Sequence, residues 1–422
     1  MIQTFSLAPG VTLRCCPESR FKHACLSVQF VTPMAQDTAA MNALLPAVLL
    51  RGCQSAPDLR SITARLDDLY GASVSTLVRR VGDYHTTGVY CSFLEDRFAL
   101  EGDSVLQPMV RFLLELLLES VTEEGAFRSD FVAGEKKNLI STIESELNDK
   151  RAYAAARMLK LLCAGDSFQL PRLGTVESVQ AITPQGLYDH YRKLLSGAAI
   201  ELFYVGSAPA EEVSQLLQPL FAHRTAVPPL PPQTAFVPQA DPGEHRETMD
   251  VTQGKLCMGF TTPITNQSPE FIPMQVLCCL YGGSTPVNKL FMTVREKLSL
   301  CYDIAAGYFG TKGILTVSAG VETCNLEQTR DEILRQLTLC QGGQITPEEL
   351  RSAKQALLSG LRTVTDSPGA LEGYYSTGHL SGFLLPPEQY RAAIEQVTME
   401  RVVAAAQTIR LHTVYFLEGV QA

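Results

Sequence analysis

Phe30-Val31-Thr32-Pro33-Met34 returns as Phe260-Thr261-Thr262-Pro263-Ile264, an offset of 230 residues (260 less 30). At the same offset Arg65 falls on Arg295 and Ala72 on Tyr302. In each copy a β-rich run precedes an apolar helical pattern, a Gly-containing turn and a second helical pattern. A period this long exceeds solenoid repeats and means a duplicated domain. Each copy mixes strand-like and helix-like segments, so each must bury a sheet face under helices, an α+β layer.

In the first copy the patterning predicts a strand over 24–34, helices over about 37–51 and 57–70, and a strand over 88–96. Helical patterns follow over about 103–120, 129–148 and 151–163. Thr183-Pro184 opens another helix, a cap followed by proline in the first turn, where a missing N–H is tolerated. A strand over 199–208 and one more helical pattern, "APAEEVSQLLQPLF", close the series. Residues 224–240, "RTAVPPLPPQTAFVPQA", are proline-rich and aperiodic. A semi-rigid linker accounts for them more simply than a P-x-x-P recognition site. The predicted organisation is an N-terminal domain over 1–222, a linker over 223–244 and a C-terminal domain over 245–422.

The formal net charge of −9 argues against a general nucleic-acid binder, which needs a basic face. No run of 18 apolar residues occurs and the start lacks a signal-peptide pattern, so no membrane span is expected. The 12 cysteines include no C-x-x-C spacing. They read as reduced, buried thiols of a cytoplasmic protein. No two of the 7 histidines lie three to five residues apart, so none forms a local helical ligand pair. His85 and His190 read as interior or polar-face residues.

The stretch "LYGGSTPVNKLFMTVREKLSLCYDIAAGY" carries a glycine pair, Leu-Phe, Arg-Glu-Lys and a tyrosine seven residues after the arginine. With the duplicated α+β domain, it resembles the M16 family of metallopeptidases (insulinase, pitrilysin, mitochondrial processing peptidase) over nearly the whole chain. The resemblance implies two homologous M16-type (LuxS/MPP-like) domains, each a mainly antiparallel sheet packed with helices. Active members carry H-x-x-E-H on a first-half helix. The two histidines share a face to hold zinc, and the glutamate takes a proton from the bound water. Counting back from Leu49-Leu50-Arg51-Gly52, these positions are Ala43, Pro46 and Ala47. For the third ligand the nearest counterpart is Thr142, seven residues after Glu135, with Glu144 and Glu146 close by. The alanines and the proline can neither bind zinc nor move a proton, so no metal or other cofactor is expected. Asn42 then reads as the cap of a helix starting there, with Pro46 in an early turn.

In active members the second-half arginine and tyrosine donate hydrogen bonds to the substrate carbonyl or its oxyanion. By resemblance that pair is Arg295 and Tyr302, contributed in trans, and Gly282 and Gly283 let an extended peptide pass close to the backbone. "ALLPAVLLRGCQSAPDLRSITARLDDLYGA" resembles the YmfF-type branch of Firmicutes, named for association with the 5-aminopentanol modification of elongation factor P. Members lack the zinc motif and are typically encoded beside a zinc-bearing M16 partner, YmfH. The resemblance implies a subunit inactive alone, forming a heterodimer with that partner around a peptide or small protein substrate. Two rivals stand beside it. One is a structural scaffold like the M16-derived core subunits of respiratory complexes, and the other a zinc peptidase with an unrecognised metal site. A homodimer of the isolated chain is left open.

Overall fold

The computed structural model describes residues 2–225, 227–239 and 241–419. The linker positions 226 and 240 lie outside the described residues. Contacts divide the chain into two units. The first holds the residues up to Glu144, Leu170–Pro232 and Thr365–Leu380. The second holds Ser145–Gln169, Gln233–Val364 and the residues from Ser381 onward.

The first unit is built on strands β1 (Gln3–Ala8), β2 (Val11–Pro17), β3 (His23–Pro33), β4 (Ser73–Val81), β5 (Tyr84–Leu94) and β6 (Ala199–Gly206). They form a six-stranded sheet in the order β1-β2-β6-β3-β5-β4. The second unit has β7 (Gly243–Met249), β8 (Gly254–Thr261), β9 (Cys301–Phe309), β10 (Ile314–Val321) and β11 (Arg410–Gly419), in the order β9-β10-β8-β11-β7. The five strands of the second sheet match β4, β5, β3, β6 and β2 of the first, position for position. Both sheets are antiparallel except for one pair each, β2 with β6 and β11 with β7. The repeat in the sequence is thus a repeat of topology, with β1 added to the first copy.

The helices are α1 (Ala39–Leu49), α2 (Leu59–Asp68), α3 (Leu106–Leu118), α4 (Ser129–Asn148), α5 (Lys150–Leu162), α6 (Val176–Gln180), α7 (Pro184–Gly197) and α8 (Ala210–Leu217). There follow α9 (Phe271–Gly282), α10 (Leu326–Gln341), α11 (Pro347–Val364), α12 (Pro368–Ser381), α13 (Pro387–Glu395) and α14 (Met399–Gln407). None among the described residues is long and apolar enough to cross a membrane. The expected cap at Thr183 is present: its hydroxyl accepts from the Gly186 N–H at 3.0 Å, with Pro184 at the start of α7.

The central strands are buried on both faces, so they read as nearly continuous apolar runs. In β3, Leu26, Val28 and Phe30 enter the main core of the first unit. The alternate residues Ser27 and Gln29 are also buried, on the face that receives α12. In β8, Leu256, Met258 and Phe260 enter the core of the second unit. On its other face Cys257 clusters with Ala154, Met158 and Leu162 of α5. A Cβ on Gly259 would lie 2.7 Å from Met158 Sδ, so glycine is needed for α5 to lie this close. Helical periodicity over 151–163 shows that α5 has a face to bury, and carries no information about which sheet that face covers.

The proline-rich segment is not a free tether. Tyr84 OH donates to the Pro231 carbonyl at 2.5 Å, and Leu230 packs beside Val31, Val81 and Tyr84 in the first unit. Phe236, 7% exposed, joins the cluster of the second unit, and its N–H donates to the Lys312 carbonyl at 3.1 Å. Ten of the cysteines are buried and none is in a disulfide; Cys324 is exposed.

Candidate functional site

Helix α1 begins at Ala39 with Thr38 as its N-cap residue, so Asn42 lies inside the helix and does not cap it. Pro46 is likewise in the helix interior. A proline there removes the N–H that would bond the carbonyl four residues back, which is that of Asn42. The lost donor is replaced: Thr87 Oγ1 on β5 hydrogen-bonds the Asn42 carbonyl. Nine of the eleven α1 residues are buried, as expected of a helix apolar on all sides.

The Asn42 side chain is fully used. Its Nδ2 donates to Thr32 Oγ1 and to His85 Nδ1, each at 3.2 Å. Its Oδ1 accepts from His190 Nε2 at 2.7 Å. A side-chain amide nitrogen only donates, so His85 Nδ1 must be the bare nitrogen of a neutral ring. Burial pushes both imidazoles down to about 4, with nearby Arg172 adding to the effect at His85 and Lys193 at His190. His85 and His190 are therefore interior residues serving Asn42.

Two predictions follow from this cluster. Thr87→Val leaves the buried Asn42 carbonyl without a partner and should cost about 1–3 kcal/mol. Pro46→Ala in the same chain restores an N–H to that carbonyl, so the Thr87→Val penalty should shrink in this background. Urea denaturation of the four proteins of the cycle measures it, and additive penalties would contradict the assigned hydrogen bond. The second concerns pH. A histidine whose folded value lies below its unfolded one stabilises fully above the unfolded value, about 6.5. That contribution is lost as pH falls from about 6.5 toward 4, by up to about 1.4 kcal/mol per pH unit for each histidine. Denaturation midpoints should drop clearly between pH 7 and pH 5; a flat profile would mean that these imidazoles protonate without loss.

The residues that the sequence aligns with the zinc motif offer no ligand. Ala43 is 7% exposed, Pro46 is buried and Ala47 half-buried; methyl groups and a pyrrolidine ring present no lone pair. Thr142 is exposed on α4, and its hydroxyl donates to the Asn138 carbonyl of its own helix at 3.0 Å. Glu135 pairs with Arg51 at 3.3 Å. Among the described residues no group of three or more His, Cys, Asp or Glu is placed to hold a metal. The zinc ion of active M16 peptidases therefore does not fit these residues.

In the second unit Arg295 and Tyr302 come together. Arg295 lies in a π-helix, Phe291–Lys297, where an α-helical pattern was expected. Tyr302 is the second residue of edge strand β9, reached through Ser299 with φ +52°. The guanidinium carbon sits 5.6 Å from the centre of the Tyr302 ring and 4.6 Å from that of Phe291. Tyr302 is 75% exposed, so it is not a core residue. Among the described residues neither side chain makes a hydrogen bond; the nearest carboxylate to Arg295 is that of Glu296 at 3.6 Å. The Arg295 side chain is 38% exposed, between the two rings and Glu296.

Gly282 and Gly283 have a packing reason. A Cβ on Gly282 would lie 2.9 Å from Ala306 Cβ on β9, and one on Gly283 2.6 Å from Cys279 Cα. The pair closes α9 against the strand that carries Tyr302. Sequence reasoning missed α12 and its buried Glu372, as well as β1, β2, β4 and most strands of the second unit. Their alternation is masked where both faces are covered or where an edge is half wet.

Comparison with known proteins adds the following. Residues 181–357 match the family model described as the Peptidase M16 inactive domain. A conserved protein from Enterococcus faecalis V583 superposes with a TM-score of 0.91 at 26% identity, covering 100% of this chain and 99% of its own. The peptidase M16 inactive domain from Pseudomonas fluorescens shares the fold, with a TM-score of 0.80 at 18% identity, covering 100% and 99%. The chain is thus similar to non-catalytic members of the M16 peptidase family. Among them its likeness is to YmfF. It is 29% identical over 412 residues to "Probable inactive metalloprotease YmfF" of Bacillus subtilis (strain 168), covering 98% of this chain and 96% of the relative.

Proposed function

We propose that this chain is the zinc-free half of a cytoplasmic heterodimeric peptidase. It pairs with a zinc-bearing, YmfH-like M16 subunit and supplies Arg295 and Tyr302 to bind peptide and assist hydrolysis there. The observation that carries this reading is the Arg295–Tyr302 pair: Tyr302 is 75% exposed, and among the described residues neither side chain makes a hydrogen bond. A protein gains little stability from an arginine stacked on an exposed tyrosine, but such donors suit a carbonyl that becomes an oxyanion. Stacking on Phe291 and Tyr302 holds the guanidinium plane, so fewer rotamers are lost when substrate binds. Gly282 and Gly283 enter as the close-packed helix end that seats β9.

The chain is to be co-expressed with an M16 subunit bearing H-x-x-E-H. Expected are a stable heterodimer by mass, zinc in proportion to the partner alone, and peptide turnover only in the mixture. Full turnover by the partner alone would overturn the proposal, and so would a complex whose rate is indifferent to this chain; either favours the scaffold reading.

A further inference from the structure

Helices α5 and α12 lie on equivalent faces of the two sheets, but their seats differ in chemistry. The centre of the α5 seat is apolar, with Ala154, Met158 and Leu162 against Cys257, Tyr415 and Leu417, and at its edge Glu247 accepts from Tyr153, Arg157 and Tyr415. The α12 seat is polar. Glu372, fully buried, accepts from Ser27 Oγ at 2.7 Å and from Arg79 Nη2 at 2.7 Å. One turn on, Ser376 faces Gln29, and His379 takes a hydrogen bond from Arg14, which also pairs with Glu201.

Gln29 is 1% exposed and its amide orientation is fixed. Its Nε2 lies 3.2 Å from Glu372 Oε1 and 3.1 Å from Ser376 Oγ, and a carboxylate can only accept. The NH₂ must therefore point there, and the carbonyl points the other way. That carbonyl, Gln29 Oε1, is buried and has no protein partner. A small cavity of about 10 Å³ adjoins Gln29, walled by the polar Arg14, Glu201, Ser376 and His379 and by the apolar Leu202, Phe203 and Leu380. A buried carbonyl without a donor costs about 1–3 kcal/mol. A cavity of this size, if polar and with two to four partners, accommodates one water.

We infer that a single structural water occupies this cavity beneath α12, donating to Gln29 Oε1 and bonding the Arg14–Glu201 pair. The ligand class is neutral water. The Arg14 guanidinium, 9% exposed, opposes a cation. The Glu201 carboxylate opposes an anion. The space suits nothing larger. The polar seat of α12 is thereby complete, whereas the polar groups at the edge of the α5 seat meet one another directly.

The test is a crystal structure of the full chain at a resolution where other buried waters are resolved, with Gln29→Met as control. Expected in the wild type is one ordered water within hydrogen-bonding distance of Gln29 Oε1 and of Arg14 or Glu201. In Gln29→Met that density should disappear while α12 stays seated. A wild-type cavity without density, or a Gln29 carbonyl turned directly onto Arg14, would overturn the inference. Density unchanged in Gln29→Met would overturn it as well, because the site would then not depend on the orphan carbonyl.

Discussion

Tyr302→Phe is expected to lower the turnover of the heterodimer about 10²–10³-fold, the loss typical of one preorganised oxyanion donor. The substitution removes a hydroxyl and keeps the ring. Tyr302 is 75% exposed and its hydroxyl bonds no other described residue, so stability should hardly change. The stack against Arg295 should persist as well, since it uses the ring face. Arg295→Ala should cause a comparable loss of rate, with some loss of packing because the guanidinium also covers Phe291. The double variant should be less than additive, since both groups would serve one developing charge. Initial rates on one peptide, with complex mass confirmed, decide the matter. Wild-type rates in intact complexes of both single variants would remove Arg295 and Tyr302 from the chemistry.

Glu372→Ala is expected to destabilise the fold by about 3 kcal/mol. Removing one partner of a buried ion pair typically costs about 3–5 kcal/mol because the other charge is left uncompensated. The lower end applies here. The Arg79 side chain is 27% exposed and can turn toward water, whereas that of Glu372 is at 0%. Ser27 would lose its acceptor at the same time, and Gln29 would keep only Ser376 of the two. Glu372→Gln keeps a carbonyl for Ser27 and should cost less. Glu372→Leu with Arg79→Met replaces the pair by apolar groups and should recover much of the loss, since paired burial of charge is itself expensive. Urea denaturation supplies the numbers. A Glu372→Ala penalty below about 1 kcal/mol, the range of exposed pairs, would show that α12 is held by its apolar contacts.

The sequence alone determined several things. The offset between Phe30 and Phe260 established a duplicated domain, because a repeat of apolar pattern is a repeat of what must be buried. Alanine at 43 and 47 and proline at 46 left the positions aligned with the zinc motif without ligand atoms, which are covalent properties that no fold can supply. Thr183-Pro184 marked a helix start, because capping is local. Other features needed the tertiary structure. Asn42 looked like a cap from its neighbours. Only β3, β5 and α7 could show that Thr32, His85 and His190 take up its amide, and that Thr87 takes the carbonyl that Pro46 leaves open. The arginine and tyrosine were legible as a spacing of seven, but their exposure depends on a π-helix and a left-handed Ser299, which no periodicity announces. The assignment of α12 to the first unit rests on Glu372 meeting Arg79 and Ser27, hundreds of positions earlier in the chain. Hydrophobic patterning says that a face must be covered. Which face covers it is settled by shape and by the pairing of buried polar groups, and both exist only once the chain has folded.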